Sequence, residues 1–545
     1  MSAGSDPKSM KRPQVPRSIF PPGAAIALAM LGSCGGGDGN LGPGNGPPPF
    51  STVPALKISQ PTSLAPNCDG VTVNGTLYSG AAVEPQIAVS PFSSSNLIAT
   101  WQQNRWSSGG AQVIAVAASF DGGNSWGLSN APFFSRCAGG NSGNAGNYAR
   151  VSNAWVSFSP NGVAYALALA FTGGTLASGS SSAMLVSQSL DGGSNWSLPI
   201  ALIQDGAAFF NDKGSITADP NDNNFVYAVW DRLTSQNSGP TYFALTANAN
   251  STWQTARPIY DPGANNQTIN NIILVTPNDT LVDLFNEIDT AADGTASSHL
   301  KAIMSTDHGT TWSTTPVSVA DMLGVGTTDP NGGNVRDSVL LFSAALGPTG
   351  TIYVAWQDAR FSNGDHDGIA LSSSTDNGAT WSTPAEVNGD TLAQAFTPTL
   401  NVSVAGVIAV SYFDLRNAHY LKTALLTDAW IVTSADGMLF TENHLSGPFD
   451  LQLAPDTAEG YFLGDYQGMI NNGVIFQPLY AQTNQGATSV STDVFFASAP
   501  VSATAASALA YRAQPAVGAA NLSAAVRLRI SQRIRAALAH RNGAG

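Results

Sequence analysis

The chain has 545 residues, of which 11% are charged, and it carries a net charge of −14. An average globular domain is about 25% charged, so coiled coils and charged disordered tails are excluded, and no run approaches the roughly 18 to 20 apolar residues of a membrane-spanning helix. The 55 glycines and 32 prolines, with 9% aromatic residues, predict an all-β protein. The length predicts several domains or one large repetitive domain.

The N-terminal residues 1–33 carry four cations ahead of a short apolar run and predict an export signal. The end of this segment, Gly32-Ser33-Cys34, resembles the signal of bacterial lipoproteins, in which the cysteine is lipidated and becomes the mature N-terminus. We therefore predict an exported cell-envelope lipoprotein of the outer membrane or periplasm, and the alternative is a secreted protein cut near Ser33. Residues 34–50 are rich in Gly and Pro and predict a flexible tether.

Two cysteines remain beyond this segment, Cys68 and Cys137. In an oxidising compartment an even number of cysteines suggests a disulfide. Two unpaired buried thiols are the alternative, because the sequence does not give the distance between them.

A repeat with a period near sixty residues occupies the body of the chain. The pattern S-x-D-x-G-x-x-W occurs four times, a degenerate copy has Asn248 in place of Asp, and a weaker one begins at Ser434. We expect Ser and Asp to accept backbone N–H bonds in a tight turn that Gly permits, and Trp to pack back on the hairpin. The residues predicted to have this structural role are Asp121, Trp126, Asp191, Trp196, Asp307, Trp312, Asp376 and Trp381.

Each box is preceded by an apolar strand, a turn and a second strand that ends in an aromatic residue, as in Pro91 to Trp101. Each unit therefore predicts four antiparallel strands, A to D, with the box at the C–D turn. Such units arranged in a ring form a β-propeller, predicted over residues 51–500. Seven A strands, starting near residues 84, 150, 213, 270, 337, 397 and 460, favour seven blades, and six blades with an irregular closing segment are the alternative.

The boxes resemble the Asp-box (BNR) repeats of bacterial sialidases over roughly residues 84–500, and VAWQDARF and YFLGDYQGM are similar to phrases of exo-α-sialidase-like proteins. The resemblance implies an exo-glycosidase acting on sialosides at the cell surface. In that family an arginine triad holds the sugar carboxylate, a Tyr–Glu pair is the nucleophile and an Asp is the acid/base. The first unit lacks the family's Arg-Ile-Pro motif, so a non-catalytic glycan- or protein-binding propeller stays the alternative.

Position in the repeat supplies the candidate residues. The B–C and D–A loops are predicted to share one face, the mouth face, opposite the Asp boxes. By position, the resemblance implies Tyr466 as nucleophile with Glu84 or Glu287 as its partner, and Asp465 and Asp337 are further catalytic candidates on this face. A phenol needs such a carboxylate base to attack at neutral pH.

Six of the eight arginines between residues 34 and 500 are predicted on the same face, although this body holds 35 acids against 12 cations. An arginine fork binds carboxylates bidentately, so these arginines are candidate substrate-binding residues, and bracing by neighbouring acids is the alternative. They are Arg105, Arg150, Arg232, Arg336, Arg360 and Arg416. The acidic body would repel nucleic acid, so the predicted partners of the monomer are a glycan and, through the lipid anchor, the membrane.

Two features complete the prediction. Oxygen ligands for Ca²⁺ occur at residues 365–367 and 219–222, but both segments fit ordinary turns and the histidines lack ligand spacing, so we predict no metal and no cofactor. Residues 501–545 hold six arginines and no acid, with an apolar residue at every fourth position from Leu522 to Leu538, which predicts an amphipathic cationic helix. It is expected to dock on the acidic propeller, to lie on anionic lipid or to be a solvated end.

Overall fold

The structure is a computed structural model that describes residues 53–543 except 62–63, 66, 71–74, 130–131, 236–237, 250, 420–422, 474, 485, 488, 501–509 and 516–521. The export signal, the tether and Cys34 lie outside the described residues, so these predictions stay predictions. No helix in the described part of the chain is long and apolar enough to span a membrane.

After the N-terminal strand β1 (Ala55–Lys57), the chain forms antiparallel meanders that each run from an inner strand A to an outer strand D. The first and second are β2 (Leu77–Val89), β3 (Leu97–Trp106), β4 (Ala111–Ser119), β5 (Gly127–Leu128), and β6 (Arg150–Phe158), β7 (Ala164–Thr172), β8 (Ser181–Ser189), β9 (Ile200–Gly206). The third and fourth are β10 (Phe209–Ala218), β11 (Val226–Thr234), β12 (Thr241–Thr246), β13 (Arg257–Tyr260), and β14 (Gln267–Val275), β15 (Leu281–Thr290), β16 (Ala296–Ser305), β17 (Val317–Asp321).

Three more meanders follow β18 (Val335–Arg336). The fifth consists of β19 (Phe342–Leu346), β20 (Ile352–Asp358), β21 (Gly368–Ser374) and β22 (Ala385–Glu386), and the sixth of β23 (Ala395–Val402), β24 (Ile408–Asp414), β25 (Leu426–Ser434) and β26 (Leu439–Asp450). Two short strands, β27 (Asp456–Thr457) and β28 (Gly460–Phe462), precede the last meander. It consists of β29 (Gly468–Asn472), β30 (Ile475–Thr483) and β31 (Thr492–Ala497). The chain ends with β32 (Ala499–Pro500), β33 (Ala510–Arg512), β34 (Gln514–Pro515) and helix α1 (Ala524–Gly543). Two 3₁₀ helices lie at Arg136–Ala138 and Leu451–Leu453.

The meanders form a closed ring. Their inner strands contact one another in the order β2, β6, β10, β14, β19, β23 and β29, and β29 contacts β2 again. The N-terminal strand β1 supplies the outer strand of the last meander by pairing with β31 (Leu56↔Phe496). The predicted propeller of four-stranded antiparallel units is confirmed. Because the first two meanders share one sheet through the Ala111↔Val151 pair, strand pairing does not settle six or seven blades, and that number stays a prediction.

Apolar layers between neighbouring meanders make up the core. Trp101 of β3, for example, packs in one cluster with Leu479 of β30 and Phe496 of β31, which joins the first meander to the last. Similar clusters lie at the other contacts around the ring. The aromatic residue predicted at the end of strand B is buried in five meanders: Trp101, Trp230, Phe285, Trp356 and Phe413.

The Asp boxes form the predicted turns. In the box of the fourth meander, the Asp307 carboxylate accepts bonds from the N–H and hydroxyl of Thr311 (2.8 and 2.6 Å) and from the hydroxyl of Ser305 (2.8 Å). Trp312 donates to the carbonyl of Gly309 in its own box (3.2 Å). The indole also packs across to the preceding meander, 5.5 Å from Phe243, whereas we expected contact with its own hairpin. The box tryptophans therefore join neighbouring meanders.

The predicted disulfide between Cys68 and Cys137 is present, and it ties the segment before the first meander to the loop after it. Arg136 strengthens the same junction, because its guanidinium donates to the carbonyl of Asp69 (2.8 Å).

Substituting both cysteines by serine is expected to lower the free energy of unfolding. The bridge closes a loop with a sequence separation of 69, and loop-closure entropy for that length corresponds to about 4 kcal/mol. Urea unfolding of the oxidised protein and of the double variant would measure the loss. A variant as stable as the oxidised protein would show that the bridge does not constrain the unfolded chain.

Acid should weaken the boxes through their carboxylates. Hydrogen bonds from the Thr311 hydroxyl and N–H lower the pKa of Asp307 to about 2. A lowered pKa stabilises the fold at pH values above the ordinary pKa near 3.8, and this stabilisation is lost as the pH falls from there to about 2. Asp307→Asn should therefore make the urea midpoint less dependent on pH between 5 and 2.5.

The chain supplies a natural precedent for that variant. Asn248 keeps both contacts in its box with one bond reversed, since its Oδ1 accepts from Thr252 N–H (2.9 Å) and its Nδ2 donates to the Thr252 hydroxyl (2.8 Å). Asp307→Asn should therefore fold, while Asp307→Ala should lose stability at both pH values. An unchanged pH dependence of the urea midpoint in Asp307→Asn would show that the Asp307 carboxylate does not contribute to the loss of stability in acid.

Candidate functional site

The mouth face and the Asp-box face are opposite ends of the meanders. The A–B turn lies beside the box, because the N–H of Gly122 donates to the carbonyl of Ser95 (2.9 Å). At the other end lies a cavity of about 190 Å³, which we call the mouth pocket. Its lining includes the B–C loop 107–110, the side chains of Arg105, Lys213, Arg336 and Asp465, and helix α1.

Five inner strands share a backbone irregularity, and three of its residues contribute side chains to this end of the ring. In these strands the pairing register shifts, twice in β2 and once in each of the others, and each has a residue at a shift with a positive φ between 40° and 61°. These bulge residues are Glu84, Asn153, Lys213, Asn270 and Thr397. Left-handed backbone is unfavourable for long or β-branched side chains, and strain of this kind collects at functional sites. The bulges re-aim the side chains, as bulges commonly do.

Three of the bulge residues meet in an ion cluster centred on Lys213. Its ammonium group donates to Asn153 (3.2 Å), lies 3.5 Å from Glu84 and pairs with Asp465. The side chains of Lys213, Glu84 and Asp465 are 10%, 1% and 7% exposed, so each charge depends on the others for compensation.

Arg336 completes the cluster from a separate small sheet. Strand β18 pairs in parallel with β28, which sets Arg336 beside Phe462. The guanidinium binds Asp465 through two bonds of 3.0 and 2.8 Å and pairs with Glu459 at 3.1 Å. The sequence-based prediction thus placed Arg336, Glu84 and Asp465 on one face, and the structure brings these three together.

The surroundings shift the two carboxyl pKa values in opposite directions. Burial raises the pKa of Glu84, and Lys213 opposes this only in part. Burial also acts to raise the pKa of Asp465, but Arg336 and Lys213 outweigh it and hold that pKa well below its usual range. Asp465 therefore stays ionised, whereas the proton on Glu84 is retained to higher pH.

Arg105 differs from the other cations of the pocket. It is 2% exposed, and its guanidinium donates to Gln102 (3.0 Å) and lies over the ring of Phe462 (4.8 Å). Its Nε has no acceptor among the described residues, which is also true of the Arg533 Nε, but Arg533 is paired with Asp337. Burial, together with the nearby Arg336, lowers the pKa of Arg105 to about 10. A buried cation without a carboxylate in hydrogen-bond contact is suited to an anionic ligand.

The remaining predicted arginines do not join this pocket. Arg232, Arg360 and Arg416 bind neighbouring acids, with the closest guanidinium-to-carboxylate pairs at 2.5 to 2.7 Å. Arg150 donates to the carbonyls of Ser108 (3.3 Å) and Gly109 (2.7 Å). The contacts of Arg232, Arg360 and Arg416 correspond to the bracing alternative. Arg150 does not, because among the described residues its Nη2 has no acceptor.

Three predicted catalytic residues lie elsewhere or are already bonded. Glu287 accepts bonds from Tyr260 (2.6 Å) and Lys301 (2.6 Å), away from the ion cluster. Asp337 lines the mouth pocket and pairs with Arg533 of α1 at 3.2 Å. Tyr466 lines a second cavity, of about 380 Å³ between the inner strands.

Tyr466 is held in that inner cavity by two contacts. Its hydroxyl donates to the carbonyl of Ala154 (2.9 Å), and its ring lies edge-on to Trp155 with centroids 5.5 Å apart. Burial raises its pKa well above the usual value of a phenol.

Backbone N–H groups bond to a carboxylate in each of the two candidate calcium segments. Asp219 accepts the N–H groups of Asn221 (2.8 Å) and Asp222 (3.2 Å), and Asp367 accepts those of Val325 (2.8 Å) and Gly326 (2.9 Å). No group of three metal-ligating side chains occurs among the described residues. The buried carboxyl groups of Glu84 and Asp465 beside Lys213, with Arg105 and Arg336 in the pocket lining, offer acid/base and anion-binding chemistry.

The C-terminal helix docks on the mouth face, which is one of the three predicted outcomes. Leu522, Ile530 and Ile534 are buried in a cluster with apolar residues of the fourth and fifth meanders and the loop between them. Arg541 pairs with Asp212 (3.2 Å) and with Asp231.

Sequence reasoning missed Lys213, Asn153 and Arg541. A signal for the first two was present, because Glu84, Asn153 and Lys213 each stand seven residues before the proline that ends strand A. Nothing in the sequence pattern indicated which acids Arg541 would pair with.

No protein-family model matches the chain, and no curated protein matches it in sequence. Solved structures with a similar fold include an α-L-arabinofuranosidase of Fusarium graminearum (TM-score 0.44, 11% identity, 83% of this chain and 98% of that one) and an α-L-arabinanase of Penicillium chrysogenum (0.44, 15%, 67% and 94%). A Hadza microbial sialidase is also similar (0.43, 15%, 75% and 75%). These neighbours are glycoside hydrolases, but likeness this distant assigns no activity, and membership of the Asp-box family stays a prediction.

Lys213→Met should lower the free energy of unfolding at pH 7 by about 3–5 kcal/mol, because it leaves buried carboxylates without their shared cation. The already raised pKa of Glu84 should rise further. A carboxyl group whose pKa is higher in the folded protein is destabilising above that pKa, so the deficit should shrink as the pH falls from 7 toward 4.5.

Lys301→Met is the matched control, since among the described residues Lys301 pairs with Glu287 alone, and it is more exposed, at 22%. Urea unfolding of both variants at pH 7 and pH 5 measures the difference. Equal, pH-independent losses would show that Lys213 is not the centre of a buried ion cluster.

Proposed function

We propose that this protein is an exo-acting glycosidase that binds the carboxylated end of a glycan in the mouth pocket, with sialosides as the first substrates to test. The observation that carries the proposal is Arg105, a buried guanidinium that lines the pocket and has an Nε without an acceptor among the described residues. A sugar carboxylate would supply that acceptor and the missing negative charge.

The rest of the lining suits a sugar. Asn153, Asp212 and Glu459 offer side-chain donors and acceptors for hydroxyl groups, and Phe171 and Phe210 offer apolar surface. A few convergent polar groups on a partly apolar concave surface are typical of small-ligand sites.

The chemistry proposed rests on the pair Glu84 and Asp465. A pair of carboxyl groups with pKa values shifted apart is the arrangement used for acid and base roles in one site. Protonated Glu84 would give its proton to the glycosidic oxygen as the bond to the anomeric carbon breaks, and ionised Asp465 would stabilise the positive charge on the ring. Water would then add to that carbon and return a proton to Glu84.

This assignment departs from the role that the sialidase resemblance implies for Tyr466. The phenol is bonded to Ala154 in the inner cavity and its pKa is raised, which disfavours a phenolate nucleophile. In the proposal, Tyr466 packs the inner cavity, and Glu287 and Asp337 take no part in the reaction.

A non-catalytic glycan-binding propeller is the second candidate. It is favoured by the position of Glu84, which is 1% exposed and lies behind Lys213, with the Nζ–Oε1 distance at 3.5 Å. A proton donor so placed reaches a glycosidic oxygen only if Lys213 moves. Export to the cell envelope through Cys34 is proposed on the sequence alone.

Arg105→Met should weaken binding of N-acetylneuraminic acid by at least tenfold, because it removes the unpaired cation while keeping an apolar side chain over Phe462. Isothermal titration calorimetry measures the affinity. Arg512→Met is the matched control, since Arg512 is exposed on β33 and does not line the pocket.

Hydrolysis is tested with 4-methylumbelliferyl N-acetylneuraminide. Turnover in the wild type, its loss in Glu84→Gln and its retention in Tyr466→Phe would support the proposed roles. Turnover lost only in Tyr466→Phe would favour the tyrosine mechanism instead. Binding without turnover would support the non-catalytic module, and no binding by the wild type would overturn both candidates.

A further inference from the structure

The C-terminal part of the chain, which we call the strap (residues 510–515 and 522–543), is built into the propeller. Strand β33 pairs with the outer strand of the sixth meander (Phe440↔Tyr511), and β34 pairs with that of the fifth (Glu386↔Gln514). The Tyr511 hydroxyl donates to the carbonyl of Val387 (2.6 Å). Helix α1 then lies on the mouth face.

The apolar side of α1 fixes its position. Ile530 and Ile534 are 5% and 2% exposed and pack with Ile269 and Leu340. Removing these two side chains from water favours the docked position of α1. The hydroxyl of Ser531 also accepts the N–H of Ala296 (2.8 Å).

The cations of α1 neutralise acids of the propeller. Arg541 is 8% exposed and binds Asp212 of β10, Asp231 of β11 and the side-chain carbonyl of Gln267 (2.9 Å). Arg533 pairs with Asp337 at 3.2 Å. Asp231 and Asp337 have side chains 0% exposed, so loss of the helix would leave buried carboxylates without these partners. These contacts make α1 a fixed part of the face.

One edge of α1 forms a wall of the mouth pocket. Ala537, His540 and Arg541 belong to the lining, which also includes the loop 107–110. The cavity volume of about 190 Å³ lies below the roughly 300–1,000 Å³ of pockets that hold drug-sized ligands. The space is suited to one sugar unit, and α1 occupies the side formed by Ala537, His540 and Arg541.

We infer that α1 determines the specificity of the mouth pocket by closing it on the side of Ala537, so that it admits only a terminal carboxylated sugar. This inference rests on the proposed function, since it concerns the same ligand and the same pocket. Arg541 acts as a positioning residue, because it holds the wall by pairing with Asp212 and Asp231. Helix α1 thereby makes the pocket distinguish a terminal sugar unit from an internal unit of a glycan.

Two adjacent alanines of α1 allow a matched test in the full chain. Ala537→Trp puts a large side chain into the pocket, whereas Ala536→Trp puts it on the exposed side of the same helix turn. The probes are methyl N-acetylneuraminide and a trisaccharide whose only carboxylated sugar is the middle unit. Affinities are measured by calorimetry, and amide exchange of residues 524–543 reports whether α1 stays docked in each variant.

The expected result is that the wild type binds the methyl glycoside at least tenfold more tightly than the trisaccharide. Ala537→Trp should lose at least tenfold in affinity for the methyl glycoside with α1 still protected, and Ala536→Trp should bind as the wild type does. Equal binding by both tryptophan variants, or equal binding of both probes, would overturn the inference while the proposed function stands. Failure of the wild type to bind either probe would overturn the proposed function itself.

Discussion

Apolar packing between neighbouring meanders is the interaction on which the other features depend. Five meanders bury the aromatic end of the B strand, as with Trp230 and Trp356, and box tryptophans extend the same layers to the Asp-box face, as Trp126 does against Phe496. Because every layer is shared by two meanders, the inner strands are forced to converge at the axis. Side chains at their mouth ends have little room, and the polar ones among them are buried together.

The ion cluster is a consequence of this convergence. Glu84 comes from the first meander, Lys213 from the third, and Asp465 from the segment before the last. At the axis both carboxylates nevertheless lie within 3.5 Å of the Lys213 ammonium group. The left-handed backbone at Glu84 and Lys213 is the local strain that aims them there, and the surrounding layers stabilise it. The structure thus concentrates opposite charges at one place without exposing them to solvent.

The fold was largely predictable from the sequence, because the Asp boxes combine local turn chemistry with a regular spacing, and both are readable along the chain. The site was predictable only in part. Position in the repeat identified Arg105, Arg336, Glu84 and Asp465 as residues of the mouth face. It did not separate the unpaired Arg105 from the braced Arg360, because that difference depends on whether the neighbouring Asp358 folds back on the guanidinium.

Other parts of the site depend on contacts between distant segments. The docking of α1 was one of three open predictions, since an amphipathic cationic helix suits an acidic surface, a lipid surface or solvent equally well. The choice lies in side-chain complementarity, such as Arg541 against Asp212 and Asp231. Tyr466 was predicted beside the arginines from its position in the last repeat, but its hydroxyl is bonded to Ala154 in the inner cavity, a contact between distant segments that the repeat does not indicate.

The pairing of β1 with β31 has a consequence for folding during synthesis on the ribosome. Lys57 and Ser59 meet Asp493, more than 400 residues later, so the ring stays open until nearly the whole chain has been synthesised. The earlier meanders keep an unpaired strand edge until then, and contacts of such long sequence separation form slowly. Premature release of the nascent chain would therefore leave an incomplete ring of sheets that is prone to aggregate through its unpaired strand edge. This architecture thus requires that the edge be protected during synthesis.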